Sequence, residues 1–468
     1  MISDIYSKLD RFIIFPLSEK VYGSNILKNY RYLKSIDWYS KEQLESIQLS
    51  KLKRLILHIY SHVPYYQDLF HSIKLTPDDI KSIKDLHKIP ILTKQIIRDN
   101  YDKLTSTDIK NRKIKSNSTG GSTGTPLIFN TDIQTWNMSW ASTFRAWSWY
   151  GFFLGEKIFT IGGQSLMSEK QGFSKKDFFE KYLMRNYKYS CSQMKQENLE
   201  QFYKAFIKLR PSAIRGYASS LYIFAKYIED NHLNIVPIKV ILTTGEILLP
   251  QYRRKVQEIF KAPIFDNYGA GDGGISAHEC YMHEGMHITE ERCIIEICSE
   301  NGTNVEDGMM GNVITTDLDN YSFPFIRYKV GDIACIKKDL CSCGRKSALI
   351  GEVIGRSGKL LYSKNGIPIS PTVLDNLLYK QLDFISLKNQ IVYNKIDRFQ
   401  IKQDFKGDIL IYLILKNKND DYRQFDYIIE NFNHYFSNSE VKLEFVTEIP
   451  PLPSGKEDFV ISDFKYCK

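Results

Sequence analysis

The sequence predicts an α/β protein with a large N-terminal domain and a small α+β C-terminal domain. Three observations support this. The chain has 468 residues, more than one hydrophobic core usually accommodates. Short β-rich runs alternate with helical patterns through its middle, and its last quarter mixes strands with a helix. We expect residues 1–354 to form the large domain, 355–358 a hinge, and 359–468 a small mobile lid.

The order of local patterns gives the expected elements. Residues 1 to about 110 are predicted to be mainly helical, because KEQLESIQLSKLKRLILHIYSHV carries apolar residues at three- and four-residue spacing. Four β-rich runs then contain or end in glycine: EKIFTIGG, SAIRGY, KVILTTGE and APIFDNYG. The helical patterns LEQFYKAFIKL and SSLYIFAKYIEDN lie between them, which predicts α/β layering with parallel strands. In the predicted lid, QIVYNKI and DILIYLIL indicate strands and YRQFDYIIENFNHYF a helix.

Composition and charge narrow the class of protein. The content is 43% hydrophobic and 25% charged, as in an ordinary globular protein. The net charge of +9 comes from scattered lysines, a pattern of solvated surface that disfavours nucleic acid as a partner and suits anionic small molecules. No apolar run is long enough for a membrane span, and the first twenty residues do not resemble a secretion signal. We therefore expect a cytoplasmic protein whose eight cysteines are reduced.

A glycine- and hydroxyl-rich loop is the most informative single segment. SNSTGGSTGTPLIF leads into the apolar run of a strand, and glycines let backbone amides turn towards an anion while hydroxyls add donors. Such a loop suits a polyphosphate, although no GK[ST] follows and a flexible turn remains an open alternative. The predicted phosphate-binding residues are Ser118, Thr119, Gly120, Gly121, Ser122, Thr123, Gly124 and Thr125.

Six motifs in chain order resemble the core motifs of the adenylate-forming ligase superfamily. The resemblance runs from about residue 55 to 460 and is strongest to the phenylacetate-coenzyme A ligase and CapK-like branch, which shares segments similar to HVPYYQDLF and KIPILTKQIIRDN. It implies the multi-layer N-terminal domain of that ligase type. After the glycine-rich loop, the motifs are ILTTGE (241–246), NYGAGD (267–272), IRYKVGD (326–332), GRSG (355–358) and PSGK (453–456).

The same resemblance implies a role for each matching residue. Asp332 would bind both ribose hydroxyls, and Asp272 falls where the family usually has a glutamate that helps to hold magnesium. Arg327 and Arg356 match neighbouring basic positions. Lys456 matches the lysine that bridges the carboxylate and the α-phosphate during adenylation. The residues implied to surround the adenine are Thr244, Gly245, Glu246, Asn267, Tyr268, Gly269 and Ala270.

The implied activity is ATP- and Mg²⁺-dependent activation of a small carboxylic acid as its acyl-adenylate, followed by acyl transfer. The acceptor favoured by the resemblance is coenzyme A; an amine, a hydroxyl or a carrier-protein thiol is the alternative, in polysaccharide or specialised metabolite assembly. A degenerate relative that binds nucleotide without turnover is a further alternative, motivated by Asp272 and by Gly358, where the family usually has aspartate or lysine. A homodimer is an open possibility.

Three other motifs bear on metal and cofactor binding. HEGMH at 283–287 matches HExxH, but Gly285 and the strand-like HITEERCIIEI disfavour the helix that a zinc protease requires. GAGDGG at 269–274 matches GxGxxG, but no regular helix follows it. A structural zinc site is the better interpretation, with ordinary reduced cysteines as the alternative. Its predicted ligands are Cys280, His287, Cys341 and Cys343.

Overall fold

The fold is known from a computed structural model of the chain. The residues that the structure describes are 2–118, 127–162, 178–190, 196–356, 361–362, 368–369, 378, 395–417, 419–436, 439–449 and 458–464.

The N-terminal region is helical, as its apolar spacing predicts. The helix α4 (Lys41–His62) begins with a capping box in which Ser40 Oγ accepts from the backbone N–H of Gln43, and the Gln43 side chain accepts from the N–H of Ser40. This pairing satisfies two of the N–H groups that a helix start leaves unpaired. The helices are α1 (Ile2–Leu9), α2 (Phe15–Tyr22), α3 (Ile26–Ser35), α4 (Lys41–His62), α5 (Pro64–Ser72), α6 (Lys94–Asp99) and α7 (Tyr101–Leu104), with a π-helical turn at Asp10–Ile14 and 3₁₀ turns at Pro77–Asp79, Ile83–Lys88 and Ile109–Asn111.

A hairpin of β1 (Ile114–Ser118) and β2 (Ile128–Asp132) leads into a five-stranded parallel sheet. The sheet order is β4-β3-β5-β6-β7, and every neighbouring pair is parallel. Its elements are α8 (Ile133–Trp149), β3 (Ile158–Gly162), β4 (Asn186–Ser190), α9 (Gln196–Leu209), β5 (Ala213–Gly216), α10 (Ala218–Asp230), β6 (Val240–Thr243), α11 (Pro250–Phe260) and β7 (Ile264–Phe265), with a π-helical turn at Phe179–Leu183.

The two faces of this sheet belong to different cores because successive strand residues point to opposite sides. Ala213 and Val240 face a cluster with Trp147 of α8, whereas Ile214 and Ile241 face the cluster that contains residues of α9, α10 and α11. The sheet is therefore covered by helices on both sides, as parallel sheets require. The four glycine-containing β-rich runs form β3, β5, β6 and β7, which confirms the predicted layering.

An antiparallel sheet of seven strands follows, in the order β11-β12-β13-β14-β10-β9-β8. The N-terminal helices pack on it, and Leu52, Ile56 and Ile59 of α4 share a core with Ile294, Val313 and Tyr328. Its strands are β8 (Asn267–Ala270), β9 (Ile275–Glu279), β10 (Met286–Ile288), β11 (Cys293–Cys298), β12 (Gly311–Asp317), β13 (Tyr328–Ile336) and β14 (Leu349–Arg356).

The described C-terminal residues form an α+β unit, in agreement with the predicted class. A four-stranded sheet has the order β19-β18-β17-β20, and α12 (Asp426–Tyr435) follows a 3₁₀ turn at Tyr422–Phe425. The strands are β15 (Leu361–Tyr362), β16 (Pro368–Ile369), β17 (Ile396–Gln403), β18 (Ile409–Leu415), β19 (Val441–Phe445) and β20 (Val460–Ser462). Among the described helices, none is both long and apolar enough to cross a bilayer.

Candidate active site and candidate metal centre

Two of the predicted nucleotide motifs meet through a tyrosine and an aspartate. Tyr268, on β8, donates from its hydroxyl to Oδ2 of Asp332, on β13, over 2.8 Å. Three strands separate β8 from β13 in the sheet order, a distance of roughly 19 Å at ordinary strand spacing. The hydrogen bond therefore requires that the sheet curl so that β8 folds back towards β13.

A second hydrogen bond joins the same two motifs. The hydroxyl of Tyr328 donates to Oδ2 of Asp272 over 2.9 Å, and both residues are buried. The turn between β8 and β9 also contacts β12, where Thr315 Oγ1 donates to the carbonyl of Gly273 over 2.8 Å. These contacts fix the orientation of the Asp272 carboxylate, so this predicted site residue has a defined position against the motif that contains Tyr328 and Asp332.

The turn between β8 and β9 requires glycine. Gly273 and Gly274 have φ values of +92° and +74°, in the left-handed region that L side chains rarely adopt. A Cβ at Gly274 would lie 2.5 Å from Cγ of Asp317, and one at Gly273 would lie 2.3 Å from Cγ2 of Thr315. GAGDGG is thus a tight hairpin turn that packs against β12. No helix begins there, so the structure also disfavours a dinucleotide-binding interpretation of the motif.

The predicted adenine loop follows β6 at the carboxyl edge of the parallel sheet. The backbone N–H of Thr244 donates to Gly216 at the end of β5, over 3.1 Å. Oε2 of Glu246 accepts from the N–H of Ser219 in the first turn of α10, over 2.9 Å. Ligands of parallel α/β sheets bind outside the carboxyl ends of the strands. This loop therefore lies where the sheet topology places a ligand.

Asp266 links the adenine loop to the NYGAGD motif, and the sequence motifs did not point to it. Its Oδ1 accepts from Thr243 Oγ1 over 2.7 Å and from the N–H of Asn267 over 2.9 Å. Burial raises the pKa of Asp266 to about 6. Three connections, at Asp266, Tyr268 and Tyr328, thus join segments that lie far apart in the chain.

Arg356 is also near Asp332, by backbone register. The two residues are cross-strand partners of β14 and β13. The predicted hinge therefore begins inside a strand, at Gly355 and Arg356. The side chains of Ser118 and Arg356 lie outside the described residues, as do Thr119, Gly120, Gly121, Ser122, Thr123, Gly124, Thr125 and Lys456.

Arg327 is not brought to this cluster. Its guanidinium is buried and forms an ion pair with Glu296, with Nε 3.1 Å from the carboxylate. The remaining donors reach the carbonyls of His87, Ile89 and Gly302 and the Cys298 sulfur. With all five N–H groups engaged, Arg327 stabilises the packing of the N-terminal region on the seven-stranded sheet, which corrects its implied place beside the nucleotide.

The four predicted metal ligands converge at one end of the seven-stranded sheet. Cys280 follows β9, His287 lies on β10, and Cys341 and Cys343 lie in the connection between β13 and β14. The Sγ atoms of Cys280 and Cys341 are 3.4 Å apart, as are Cys343 Sγ and His287 Nε2. All four ligand atoms lie within 4.8 Å of one another.

The geometry and surroundings of this cluster suit zinc. Ligands about 2.3 Å from a tetrahedral ion lie roughly 3.8 Å apart, close to the observed separations. Nδ1 of His287 contacts Ser347 Oγ at 2.9 Å, which leaves Nε2 facing the sulfurs. Burial lowers the pKa of His287 to about 4, so the imidazole is neutral at pH 7, as a ligand must be.

The same region argues against a zinc protease. His283 lies in a turn with φ +52°, and His287 lies on strand β10. The Glu284 carboxylate accepts from the N–H and hydroxyl of Ser342, each over 2.8 Å. HExxH chemistry requires both histidines on one helix with the glutamate as general base, and neither condition is met.

The sequence of the chain is similar to CapK and to phenylacetate-coenzyme A ligases. Residues 361–463 match the CapK C-terminal domain family. The chain is 26% identical over 431 residues to Protein CapK of Staphylococcus aureus, covering 90% of each chain. It is 27% identical over 359 residues to the phenylacetate-coenzyme A ligase of Aromatoleum evansii, covering 74% of this chain and 78% of that one.

The fold also matches solved structures. A crystal structure of 2-hydroxyisobutyryl-CoA ligase in the postadenylation state, in complex with R3-HIB-AMP, superposes with a TM-score of 0.73 at 16% identity and covers 91% of each chain. A crystal structure of the anthranilate CoA ligase AuaEII with anthranoyl-AMP has a TM-score of 0.52 at 14% identity, covering 73% of this chain and 65% of that one. At these identities the likeness establishes the fold, in agreement with the predicted class.

Proposed function

We propose that this chain activates a carboxylic acid with ATP. The premise is that it belongs to the adenylate-forming ligase superfamily, in the branch of CapK and the phenylacetate-coenzyme A ligases. The first product is an acyl-adenylate and the second an acyl thioester of coenzyme A. The reaction takes place in the cytosol. This makes the chain an AMP-forming acid ligase.

The observation that carries the proposal is the pairing of Tyr268 with Asp332 and of Tyr328 with Asp272. These contacts hold two carboxylates in fixed orientations on the seven-stranded sheet. An aspartate can accept hydrogen bonds from both hydroxyls of a ribose, and Asp332 is only partly buried. Asp272 supplies the hard oxygen ligand that Mg²⁺ prefers. We therefore assign the ribose of ATP to Asp332 and the magnesium ion on its phosphates to Asp272.

The chemistry explains why a mobile cation is also required. In adenylation a carboxylate attacks the α-phosphorus of ATP and pyrophosphate leaves, so two anions must approach and the developing charge must be neutralised. We assign the phosphates to the loop Ser118–Thr125 and the neutralising charge to Lys456 near the C-terminus. A lysine on a separate lid can reach the reacting atoms only on closure, which also excludes water.

Coenzyme A is the acceptor that the phenylacetate-coenzyme A ligase relatives support by their names. A second candidate is transfer to an amine, a hydroxyl or a carrier-protein thiol. The two candidates share the first half-reaction and differ only in the nucleophile. Phenylacetate is the first acid to test for either.

The cluster of Cys280, His287, Cys341 and Cys343 is proposed to hold a structural zinc. Four protein ligands leave no open coordination position, so the ion would take no part in acyl transfer. It would tie the connection between β13 and β14 to the ends of β9 and β10. The strand β13 carries Asp332, so the ion would stabilise the strands that support the nucleotide site.

Pyrophosphate exchange tests the proposal. The full chain is incubated with ATP, Mg²⁺ and labelled pyrophosphate over a panel of acids that begins with phenylacetate, and label should enter ATP only with the cognate acid. Lys456→Ala should slow exchange by at least about 100-fold, the scale of a lost charge-stabilising group. Lys442→Ala, which removes an exposed lysine of β19, is the control. ATP binding without exchange for any acid would instead identify a nucleotide-binding protein without turnover.

A further inference from the structure

The first two helices carry an exposed apolar stripe that the ligase chemistry does not use. α1, the π-helical turn and α2 form one helical segment over residues 2–22. Along it, every fourth residue from 5 to 21 is a large aliphatic side chain, and Phe12 lies beside them. These side chains are between 43% and 82% exposed: Ile5, Leu9, Phe12, Ile13, Leu17 and Val21.

The π-helical turn keeps the stripe on one side of the helix. In an α-helix each residue turns the chain by about 100°, so a repeat of four residues drifts by about 40° at each step. Four such steps would carry Val21 to nearly the opposite side from Ile5. The π turn at Asp10–Ile14 holds more residues per turn, so each residue there rotates by less than 100°. This smaller rotation offsets part of the drift of the four-residue repeat. Ile5 and Val21 therefore remain on a common outer face.

The opposite face holds the segment firmly on the body of the protein. Phe15 is fully buried, with its ring centroid 5.7 Å from that of Phe179. Oε1 of Glu19 accepts from the N–H of Leu27 over 3.0 Å, and the guanidinium of Arg11 lies 4.5 Å from the ring of Phe153. The helix is thus amphipathic and packed on the protein through its inner face. No residue that the structure describes buries the side chains of its outer face.

Within the part of the chain that the structure describes, the exposed charged side chains next to the stripe are cations. Among the side chains described over residues 5–22, Lys8 and Lys20 are exposed, whereas the acids Asp10 and Glu19 are buried. Lys181, which follows Phe179 by two residues, is exposed as well. The outer face therefore presents apolar side chains bordered by cations, the composition that allows a helix to lie in a membrane interface.

We propose that residues 2–22 form an interfacial anchor that binds an anionic lipid surface with the stripe immersed below the headgroups. The segment is about 30 Å long and lies in the plane of the bilayer. Lys20 and Lys181 pair with anionic headgroups. A second copy of the chain fits this face less well, because a symmetric contact would bring the same cations together. This binding is independent of the proposed ligase activity.

Vesicle flotation of the full chain tests the anchor. We expect binding to vesicles of phosphatidylglycerol and phosphatidylcholine, weaker binding to pure phosphatidylcholine, and release from the anionic vesicles by salt. Phe12→Ser with Leu17→Ser should reduce binding at least tenfold, and Lys20→Gln with Lys181→Gln should reduce it only for anionic vesicles, by roughly tenfold. The control is Phe405→Ser, which removes a 73% exposed ring from the turn between β17 and β18.

Two results would overturn the anchor. One is a wild-type chain that binds neither kind of vesicle while its circular dichroism shows a folded protein. The other is a dimer in sedimentation velocity that Phe12→Ser with Leu17→Ser converts to monomer without any loss of vesicle binding, which would assign the stripe to a second copy. Ile5→Ser with Val21→Ser provides an independent pair of exposed substitutions should the first pair fail to fold.

Discussion

Asp332 and Tyr268 are the pair whose replacement reports most directly on the nucleotide site. Asp332→Ala removes the proposed ribose contact, and hydrogen bonds to charged groups contribute roughly 1.5–3 kcal/mol. We expect the KM for ATP to rise about tenfold to a hundredfold with a smaller change in kcat, because ribose binding is shared by the ground and transition states. Initial rates against ATP concentration measure both constants.

Tyr268→Phe is the graded companion to Asp332→Ala. It leaves the carboxylate in place and removes only the donor that orients it, so the effect should be smaller, about 0.5–1.5 kcal/mol. Asp339→Ala, at an exposed position after the same strand, is the control. An unchanged KM in Asp332→Ala would contradict the ribose assignment.

Asp317 gives the chain a pH-dependent stability. It is fully buried against the β8–β9 turn, and this burial raises its pKa from 3.8 to about 6. Between pH 3.8 and pH 6, the Asp317 carboxyl is therefore protonated in the folded state and ionised in the unfolded state. The resulting stability is present below pH 3.8 and is lost as the pH rises through 6, a change of roughly 3 kcal/mol.

Asp317→Asn should remove this dependence, since the amide stays neutral. Between pH 4 and pH 7 the free energy of unfolding of the variant should increase by roughly 2–3 kcal/mol relative to that of the wild type, because only the wild type loses stability over this interval. Urea denaturation at the two pH values measures it, with the exposed Asp307→Asn as control. Parallel pH profiles of variant and wild type would refute the buried titration.

Sequence motifs point to some residues of the candidate nucleotide site and not to others, for a physical reason. A motif displays residue types at fixed spacing, so the family resemblance could point to Asp272 and Asp332 as candidate site residues, and their roles stay predictions. The motifs also contain Tyr268 and Tyr328, but their role as donors to the two carboxylates is revealed only by contacts between distant segments, as are Asp266 and Asp317. Arg327 lies inside a motif, yet its guanidinium turns towards Glu296; spacing alone does not give the direction of a side chain.

At the scale of the element, the β8–β9 hairpin is the part most sensitive to substitution. Gly274→Ala would place a methyl group 2.5 Å from Asp317 at a φ of +74°, so we expect a loss of about 1–3 kcal/mol in stability and weaker ATP binding. Gly271→Ala, three residues earlier in the same turn, meets nothing within 4 Å and should be nearly neutral. Thermal denaturation and the KM for ATP distinguish them; equal effects would contradict the packing described.

The connection between β13 and β14 should depend on zinc. Elemental analysis of the purified chain should give one zinc per chain, and Cys341→Ser should abolish it and lower the free energy of unfolding by about 3 kcal/mol or more. Cys335→Ser changes a partly buried cysteine outside the cluster and should retain the metal. Full stability of a metal-free wild-type chain would show that the four side chains are held by packing alone.

Elements were predictable where local patterns suffice. The parallel strands β3, β5 and β6 were read from short apolar runs ending near glycine, and the N-terminal helices from apolar spacing. The order of the seven-stranded sheet was not predictable, because β14 pairs with β10 and β13 through contacts across the chain. The π turn at Asp10–Ile14 was also missed, since its sequence resembles any amphipathic helix.

At the scale of the whole molecule, the C-terminal unit packs on the helices that cover the parallel sheet. Lys226 of α10 lies 2.5 Å from the carboxylate of Asp397, and the Tyr222 hydroxyl donates to the backbone carbonyl of Asp397 over 3.4 Å. The rings of Tyr252 and Phe459 are 5.7 Å apart. Buried residues of the C-terminal unit such as Phe399 and Ile401 also share a hydrophobic cluster with Tyr252 of α11, and the movement of this unit as a lid stays a prediction.

The overall class was predictable because length and element order limit the possible architectures. The sequence indicated a large α/β part followed by a small α+β part, and the fold and relationships agree. The placement of the predicted hinge at 355–358 remains a prediction, since β14 extends into it as far as Arg356. The position of the lid relative to the sheets depends on side-chain contacts that no local pattern encodes.

The identity of the nucleotide product tests the central claim most directly. The full chain, Mg²⁺, ATP labelled at the α-phosphate and the cognate acid are quenched after one turnover without coenzyme A. We predict pyrophosphate and an enzyme-bound acyl-adenylate that carries the label and that mass spectrometry detects, with release of labelled AMP and formation of the thioester when coenzyme A is added. Release of ADP and phosphate in place of AMP would contradict adenylate formation and with it the proposed activity.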